Sequence, residues 1–352
     1  MKKFRILSID GGGLRGVVPI TILKQLESLT GEPIWKSFDL IAGTSTGGLL
    51  ACALSMPKDR QPQQQKAKYS LDDLMAIYLN RGSEIFPPPN GLKRILGSAD
   101  GAFSPTFSDE GIHKVFTDVC GEARLNEALT PILVSTYDLN NNVPLFFKSR
   151  SARQNPDQNI RIYDIARATS AGPTYLPAYE LTYPNGTDHP KRLCIDGGVL
   201  INNPSMAALA ELSKHHKAYH FNENDEDIDY DNVFVLSIGT GTYSGKITAD
   251  EAKNKGKLFW ATRIADVMMR GVNQTTDYAM KEMMTSGNYI RLSIDIHEEK
   301  HSEMSRADKE TSGYLINETQ KQILNNDKLM NEWRMWLLKS GLIKDTSDSM
   351  IM

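Results

Sequence analysis

The sequence has few of the features that indicate a disulfide-rich fold, nucleic-acid binding or insertion into a membrane. Only three of its 352 residues are cysteine, and Cys52, Cys120 and Cys194 lack metal-binding spacing, so we expect buried, reduced thiols in a reducing cytosol. Basic and acidic residues nearly balance, at 40 and 43, which gives a net charge of -3. Such a charge provides no general attraction to nucleic acid or to an anionic bilayer.

Long hydrophobic runs are absent as well. The apolar run at residues 4–9 is interrupted by Asp10 too early for a signal peptide. No later stretch approaches the roughly 18 apolar residues that a membrane span needs. We therefore expect a cytoplasmic protein that binds no nucleic acid and meets a bilayer only by peripheral contact.

The start of the chain shows one pattern twice: an apolar strand, a glycine-rich turn and a helix. Its first copy comprises a strand at residues 4–9, a turn at 11–16 and apolar residues at helical spacing from Pro19 onward. A second copy follows at residues 38–54. Two consecutive units of this kind require a parallel sheet with helices on its faces. We therefore predict an α/β protein, a three-layer α/β/α sandwich around a mostly parallel central sheet.

Shorter patterns complete the expected organisation. Four further strands are predicted at residues 131–136, 143–148, 192–195 and 233–238. Polar or proline-rich composition predicts surface loops at residues 58–68, 86–103 and 222–231. The loop at residues 86–103 is a candidate lid or membrane contact. The tail at residues 312–338 has a helical rhythm broken near Asn325. We expect it to pack on the sheet, and a membrane-binding amphipathic helix is the alternative.

Ser45 lies in the turn Gly43-Thr44-Ser45-Thr46-Gly47, between a predicted strand and a predicted helix. Glycines flank the serine of a nucleophile elbow because the sharp turn leaves no room for side chains. The N-terminus of the following helix favours negative charge at the serine, where an acyl oxyanion would form. The turn thus predicts a serine acyl hydrolase, and a small-residue turn without chemistry is the alternative.

A second glycine-rich turn, Asp10-Gly11-Gly12-Gly13-Leu14-Arg15-Gly16, follows the first predicted strand. Consecutive glycines expose backbone N–H groups, and in the predicted parallel sheet this turn lies beside Ser45. We predict an oxyanion hole in which Gly12 and Gly13 are the donors, while Gly11 and Arg15 support the loop.

The same turn formally contains Gly-x-Gly-x-x-Gly, a pattern that binds dinucleotides in a strand, turn and helix unit. Glu27 and Glu32 lie about 20 residues downstream, but no predicted strand ends at either of them, where the ribose-binding acid belongs. The alternative from a different functional class is a nucleotide-binding regulatory protein without hydrolase activity, with residues 11–16 as a phosphate cradle.

A serine nucleophile requires a base, and the sequence offers two kinds of candidate. Asp196 ends a predicted strand and precedes Gly197 and Gly198, a turn that directs a carboxylate toward the carboxyl edge of the sheet. Five histidines follow Asp196 in the order of a Ser-Asp-His hydrolase. Polar surroundings predict that all five are solvent-exposed: His215, His216, His220, His297 and His301.

Three motifs together resemble the signature set of the patatin-like phospholipases: residues 10–16, Gly43-Thr-Ser-Thr-Gly47 and Asp196-Gly-Gly198. Further segments are similar to the family or to plant patatins in particular: residues 168–177, 237–242, 248–252, 276–278 and 288–291. The resemblance runs from about Arg5 to Arg291. It identifies residues 1–300 as a patatin-like acyl hydrolase domain, with residues 301–352 as a helical extension on the same domain.

This resemblance implies a Ser-Asp dyad, with Ser45 as the nucleophile and Asp196 as the general base, beside an oxyanion hole at residues 11–13. It implies no metal and no cofactor. The expected enzyme is of the phospholipase A or lysophospholipase type and cleaves fatty-acyl esters of membrane glycerolipids at a bilayer surface through an acyl-enzyme. Some bacterial members of the family are antiphage defence effectors switched on by a cyclic nucleotide, so a cyclic nucleotide activator is an open alternative here. The vacuolar location of plant patatins is not expected.

Overall fold

The computed structural model describes residues 2–59, 65–88, 106–183, 191–224 and 227–344. Within these ranges the strands are β1 (Phe4–Ile9), β2 (Leu40–Thr44), β3 (Ile132–Asp138), β4 (Val143–Lys148), β5 (Tyr179–Leu181), β6 (Arg192–Asp196), β7 (Val233–Ile238), β8 (Thr242–Tyr243), β9 (Tyr289–Leu292) and β10 (Asp295–Ile296). The α-helices are α1 (Val17–Thr30), α2 (Ile34–Ser37), α3 (Thr46–Ser55), α4 (Leu71–Ile85), α5 (Asp109–Cys120), α6 (Ser149–Gln154), α7 (Ile162–Thr169), α8 (Ser205–His215), α9 (Ala249–Asn254), α10 (Lys257–Met283), α11 (Lys309–Thr319) and α12 (Asp327–Ser340). Short 3-10 or π-helical turns lie at Gly13–Gly16, Leu125–Glu127, Pro156–Gln158, Gly197–Val199, His216–Tyr219, Tyr230–Asn232, Glu299–His301 and Gln320–Leu324.

Eight of the described strands form one sheet, in the order β5-β6-β3-β2-β1-β7-β9, with β4 also paired to β3. The neighbours from β3 through β2, β1 and β7 to β9 run parallel. By contrast, β4 and β6 are antiparallel to β3, and β5 is antiparallel to β6. The predicted α/β class with a mostly parallel sheet is confirmed, and the sheet has an antiparallel side.

Most predicted strands lie where the apolar runs placed them, with small shifts at their ends. The strand predicted at residues 38–42 lies at Leu40–Thr44, because Ile34–Ser37 form a short helix just before it. The sequence pattern predicts neither β5 nor β9. These strands have only three and four residues, which is too short for a periodicity to show.

Apolar residues cover both faces of β1, the strand that leads to the first glycine turn. Leu7 and Ile9 belong to a buried cluster with α1 and α3, while Phe4 and Ile6 belong to a second cluster with α8. All four side chains have no exposed surface. Helices on both sides of the sheet thus form three layers, as predicted from the two consecutive strand, turn and helix units.

Three apolar side chains of the tail are buried in the core. Trp333, Trp336 and Leu337 are at most 2% exposed and join the same buried cluster as α1. The indole Nε1 of Trp336 donates a hydrogen bond of 2.9 Å to the carbonyl of Asn288. The predicted break near residue 325 is confirmed, because a π-helical turn ends at Leu324 and α12 begins at Asp327. These contacts support our proposal that residues 301–352 extend the same domain, although residues 345–352 lie outside the described ranges.

Of the predicted loops, residues 60–64, 89–103 and 225–226 lie outside the described residues. The candidate lid at residues 86–103 is among them except for its first three residues. No helix in the described ranges is long and apolar enough to cross a membrane. Cys52, Cys120 and Cys194 are free and buried, as expected.

Candidate active site

Ser45 occupies a sharp turn between β2 and α3. Its φ of 52° and ψ of −123° are unusual for a residue with a side chain, and such strain is typical of a nucleophile elbow. Two flanking glycines are required, because a Cβ on Gly43 would collide with the carbonyl of Gly47, and a Cβ on Gly47 would collide with the carbonyl of Ile9. The turn therefore holds the serine hydroxyl out of the sheet.

The pairing of β2 with β3 and of β3 with β6 places Asp196 beside Ser45. Thr44 lies opposite Ser135 on β3, and the next residue of β3, Thr136, lies opposite Asp196 on β6. The Oγ of Ser45 donates a hydrogen bond of 2.6 Å to Oδ2 of Asp196 across 151 positions of sequence. The carboxylate lies at the carboxyl end of β2 as predicted. However, β6 arrives there antiparallel to β3, not parallel as in an open α/β sheet.

Burial raises the pKa of the Asp196 carboxyl to about 6, against smaller lowering effects of hydrogen bonds from Ser45 and from the backbone of Gly198. The Gly198 N–H donates to Oδ1 at 2.7 Å, so Oδ2 alone faces the serine. Gly197 has no space for a side chain, because a Cβ would collide with Ser135. The two glycines thus allow the carboxylate to sit close to the sheet while one oxygen stays oriented.

Thr169 fixes the backbone of the elbow. Its Oγ1 accepts a hydrogen bond of 2.9 Å from the N–H of Ser45 and donates one of 2.7 Å to the carbonyl of Ser135. The side chain has no exposed surface. The sequence analysis assigned Thr169 no role. The one indication that it could matter was its position in the segment at residues 168–177, which is similar to the family.

The glycine turn after β1 lies against the elbow, and an added Cβ on Gly11 would stand 3.2 Å from Cβ of Ser45. Gly11 is not available as an oxyanion donor, because its N–H already donates to the carbonyl of Asn202 at 3.2 Å. In the described part of the chain, no hydrogen bond uses the N–H of Gly12 or Gly13. Gly13 has a φ of +58° and no room for a side chain beside Met304. Two unpaired backbone donors therefore remain next to the serine.

Arg15 holds this turn from behind. Its Nε donates to the carbonyl of Gly12 at 3.4 Å, and its Nη1 donates to the carbonyl of Ser302 at 3.3 Å. The guanidinium therefore bonds to backbone oxygens of the loop and of the segment before α11. This geometry fits a supporting role.

A cavity of about 690 Å³ opens beside Ser45 and Asp196, within the usual range for ligand sites. Helices α3, α4, α5 and α7 contribute a large part of its wall, and the segment after α7 contributes another part. Among the described residues, its apolar lining includes Leu49, Leu50, Ala53, Met56, Leu74, Ile77, Ile85, Phe86, Ile112, Val115, Phe116 and Ile162. A long apolar group can therefore lie in the cavity with its end at the serine.

Comparison with known proteins fits this geometry. Residues 7–209 match the family described as Patatin-like phospholipase, which is more than half of the 352 residues and contains both Ser45 and Asp196. The chain belongs to the patatin-like phospholipase family. It is therefore an enzyme of lipid metabolism, a carboxylic ester hydrolase of the lipid acyl hydrolase type.

Patatin-like proteins of plants are similar along most of the chain. Patatin-like protein 2 of Oryza sativa subsp. indica is 32% identical over 322 residues, which cover 84% of this chain and 77% of that protein. Patatin-2-Kuras 3 of Solanum tuberosum is 29% identical over 303 residues, which cover 82% of this chain and 75% of that protein. The solved structure of VipD from Legionella pneumophila aligns with this chain at a TM-score of 0.41 and 12% sequence identity. The alignment covers 99% of this chain and 72% of the VipD chain. The family assignment depends on the sequence matches.

None of the five candidate histidines is among the described residues that line the cavity of this patatin-like protein. The prediction that all five are solvent-exposed is wrong for His216 and His301, which are 6% and 2% exposed. His301 stacks on Tyr314, with ring centroids 4.3 Å apart, and its Nδ1 lies 3.0 Å from Oγ1 of Thr311. Its polar neighbours in sequence gave no sign of this aromatic contact.

The alternative of a nucleotide-binding protein without hydrolase activity is wrong, because the chain belongs to a family of hydrolases. The structure supplies a physical reason as well. Three N–H groups of the turn are already occupied, since Gly11 donates to Asn202, Leu14 to Met304 and Arg15 to Gly12. A phosphate cradle needs these groups free.

A buried ion pair anchors the glycine turn of the patatin-like domain to β9. Nη2 and Nη1 of Arg291 donate to the two carboxylate oxygens of Asp10 at 2.5 and 3.2 Å, and Nη1 also donates to Ser237 at 2.7 Å. Thr240 Oγ1 adds a bond of 2.6 Å to the carbonyl of Gly11. Sequence reasoning missed both anchors, although both lie in segments that resemble the family.

We expect Arg291→Met to lower the free energy of unfolding by about 3–5 kcal/mol, because it leaves the Asp10 carboxylate buried without its partner. Urea denaturation followed by circular dichroism measures this loss. Lys24→Met is the matched control, since it removes an ion pair with Asp72 whose side chains are 45% and 80% exposed and should cost less than about 1 kcal/mol. Equal losses in the two variants would contradict the structural role of Arg291.

Proposed function

We propose that this enzyme cleaves fatty-acyl esters of membrane glycerolipids, with Ser45 as the nucleophile and Asp196 as the general base. One observation carries the proposal: the 2.6 Å hydrogen bond from Oγ of Ser45 to Oδ2 of Asp196 lies at an apolar cavity of about 690 Å³. A carboxylate at this distance can take the serine proton without a histidine. The three free, buried cysteines support a cytoplasmic location.

The first half of the proposed reaction forms an acyl-enzyme. Oγ of Ser45 attacks the ester carbonyl carbon while its proton moves to Oδ2 of Asp196. The carbonyl oxygen becomes an oxyanion, which the N–H groups of Gly12 and Gly13 stabilise, together with the N-terminus of α3. The carbon–oxygen bond to the glycerol then breaks, and the departing alkoxide receives the proton from Asp196.

The second half regenerates the serine. A water molecule gives a proton to Asp196 as its oxygen attacks the acyl carbonyl carbon, and the same two N–H groups stabilise the second oxyanion. The bond from the carbonyl carbon to Oγ breaks, Ser45 recovers its proton from Asp196, and the fatty acid leaves. In this cycle Gly11 and Arg15 hold the loop, and Asp196 alone transfers protons.

The lining of the cavity favours entry of the long acyl chain of the substrate over entry of its headgroup. Most of its described lining along α3, α4 and α5 is aliphatic or aromatic. The polar side chains there already have partners, since Thr46 bonds to Tyr78 and Arg81 pairs with two carboxylates. A polar headgroup would therefore lose hydration there with little compensation. The acyl chain therefore occupies the cavity, and the glycerol and headgroup remain at its opening. This orientation fits phospholipase A or lysophospholipase activity.

Analysis of the products released from phosphatidylcholine vesicles tests the proposed function. We expect free fatty acid and lysophospholipid or glycerophosphocholine, identified by mass spectrometry. Parallel reactions with a panel of cyclic nucleotides determine whether the enzyme requires an activator. Absence of fatty acid under every condition, with no hydrolysis of soluble esters, would contradict the proposal.

The pH dependence should have an acid limb set by Asp196. The carboxylate must be ionised to accept the serine proton, and burial raises its pKa to about 6. We therefore expect kcat/KM to be constant above that pH and to fall about tenfold per pH unit below it. Stopped assays with a soluble ester between pH 4 and pH 8 measure the profile. An acid limb centred near the ordinary aspartate value of 3.8 would contradict a buried base.

A further inference from the structure

Exposed apolar side chains form a continuous surface beside the opening of the cavity. On α10, Ile264, Val267 and Met268 are 44%, 42% and 58% exposed, and their spacing places them on one side of the helix. In the turn after Asp196, Val199 and Leu200 are 43% and 37% exposed. Helix α10 contacts this turn. We call these five residues the apolar rim.

Arg270 and Asn273, on the side of α10 opposite these apolar residues, are partly buried. Asp266, Arg270 and Asn273 line a small recess of about 50 Å³ against the glycine turn. Arg270 also donates through Nη1 to the carbonyl of Gly245 at 3.3 Å. A surface helix normally turns its apolar side inward and its polar side to water. Ile264, Val267 and Met268 instead lie on the outer side of α10, where packing within the described residues leaves them exposed.

The apolar rim continues into the cavity. Val199 and Met268 line the cavity that holds Ser45 while also being exposed on the surface. An acyl chain that leaves a bilayer would therefore meet apolar side chains along its whole path to the serine. A protein partner or a second copy seated on the same surface would cover the opening that the substrate must use.

We propose that the apolar rim is the surface with which this enzyme docks on a lipid bilayer, with Ile264 and Val267 entering the acyl region beside the lipid that is cleaved. The inference rests on the proposed function, because it takes membrane glycerolipids as the substrate. It places the membrane contact on α10 and on the turn after Asp196.

The sequence that contains the α10 part of the rim carries charges of both signs. Residues 250–270 contain three acids and five bases, a formal excess of only two positive charges: Asp250, Glu251 and Asp266 against Lys253, Lys255, Lys257, Arg263 and Arg270. Insertion of apolar side chains, and not attraction to anionic headgroups, therefore drives the docking. Neutral phosphatidylcholine vesicles should suffice, and salt should weaken binding little.

The double variant Ile264→Asp, Val267→Asp tests the rim, because neither residue is among those that line the cavity. We expect binding to phosphatidylcholine vesicles, measured by co-sedimentation, and hydrolysis of those vesicles to fall by at least about tenfold. Hydrolysis of a water-soluble short-chain ester should stay unchanged. Met335→Asp is the matched control, since Met335 is 64% exposed on α12 and should retain full vesicle binding.

A fluorescent label gives a second readout that needs no loss of activity. All three native cysteines are buried and burial raises the pKa of their thiols, so Ile264→Cys provides the reactive thiol for an environment-sensitive dye. Its emission should shift to the blue with vesicles, whereas the same dye at Met335→Cys should not respond.

Three results would overturn the docking surface: wild-type vesicle binding by the double variant, no spectral shift at position 264, or light scattering that shows a dimer which the double variant dissociates. The last result would assign the rim to a subunit interface. Failure of the proposed function looks different, because unmodified enzyme would then release fatty acid from neither vesicles nor soluble esters.

Discussion

Replacing Ser45 with alanine should lower kcat/KM for lipid and soluble esters by at least about 10⁴-fold, because no other group forms the covalent bond to the acyl carbon. The variant should fold normally. Alanine is smaller than serine and loses only the hydrogen bond to Asp196. Fatty acid release and circular dichroism measure the two effects, and a fluorophosphonate probe should label Ser45 in the unmodified enzyme only.

Ser55→Ala is the matched control for this experiment. Ser55 lies at the other end of α3, is fully buried, and its Oγ has no hydrogen-bond partner among the described residues. Its removal should change activity less than about twofold, since it touches neither the dyad nor the cavity. Substantial activity in Ser45→Ala, or probe labelling of a different residue, would exclude Ser45 as the nucleophile.

Asp196→Asn should lower kcat by about 10² to 10⁴-fold, the usual contribution of a general base. Asparagine keeps the oxygen that accepts from the Gly198 N–H, and its Nδ2 takes the place of the oxygen that faces Ser45. The amide nitrogen can donate to the serine hydroxyl but cannot accept its proton, so the geometry should survive while proton transfer is lost. The acid limb of the pH profile near pH 6 should vanish from the residual activity. Steady-state kinetics across the pH range measure both effects.

The same variant should be at least as stable as the parent at pH 7. Burial raises the pKa of Asp196 to about 6 from 3.8, so the folded state holds its proton more tightly than the unfolded state does. The tighter proton binding stabilises the folded state at low pH, and this stabilisation is lost as the pH rises through about 6. At neutral pH the free energy of unfolding is therefore lower by about 3 kcal/mol than at low pH. A neutral amide avoids that cost. Loss of folding in Asp196→Asn, or loss of activity on replacing any one of the five histidines, would contradict the dyad.

The local features of this site could be predicted from sequence because each depends on neighbouring residues. Ser45 needs a glycine on either side to adopt its strained turn, and such spacing is visible in a single chain. The strand before it and the helix after it follow from short apolar periods. Asp196 could be placed at the sheet edge for the same reason, since its turn begins with two glycines.

The long-range features could not be predicted, because they depend on which strands become neighbours. Arg291 pairs with Asp10 across 281 positions, and no local pattern marks the two side chains as partners. The antiparallel direction of β6 also depends on its pairing with β3, and an isolated apolar run carries no direction. On α10, the apolar stripe has the spacing of a core-facing helix, so its exposure appears only when the helix is placed in the fold.

Met304 lies far along the chain, yet its carbonyl accepts the N–H of Leu14 at 2.8 Å and its backbone closes the space beside Gly13. Thr240 and Arg291 hold the other side of the same loop. All three lie beyond residues 7–209, the stretch that matches the family. The proposed nucleophile and base therefore belong to a segment that lacks these contacts to the proposed oxyanion loop. The last third of the chain completes the proposed site, and a shorter piece ending near residue 209 would lack Thr240, Arg291 and Met304, which contact the loop.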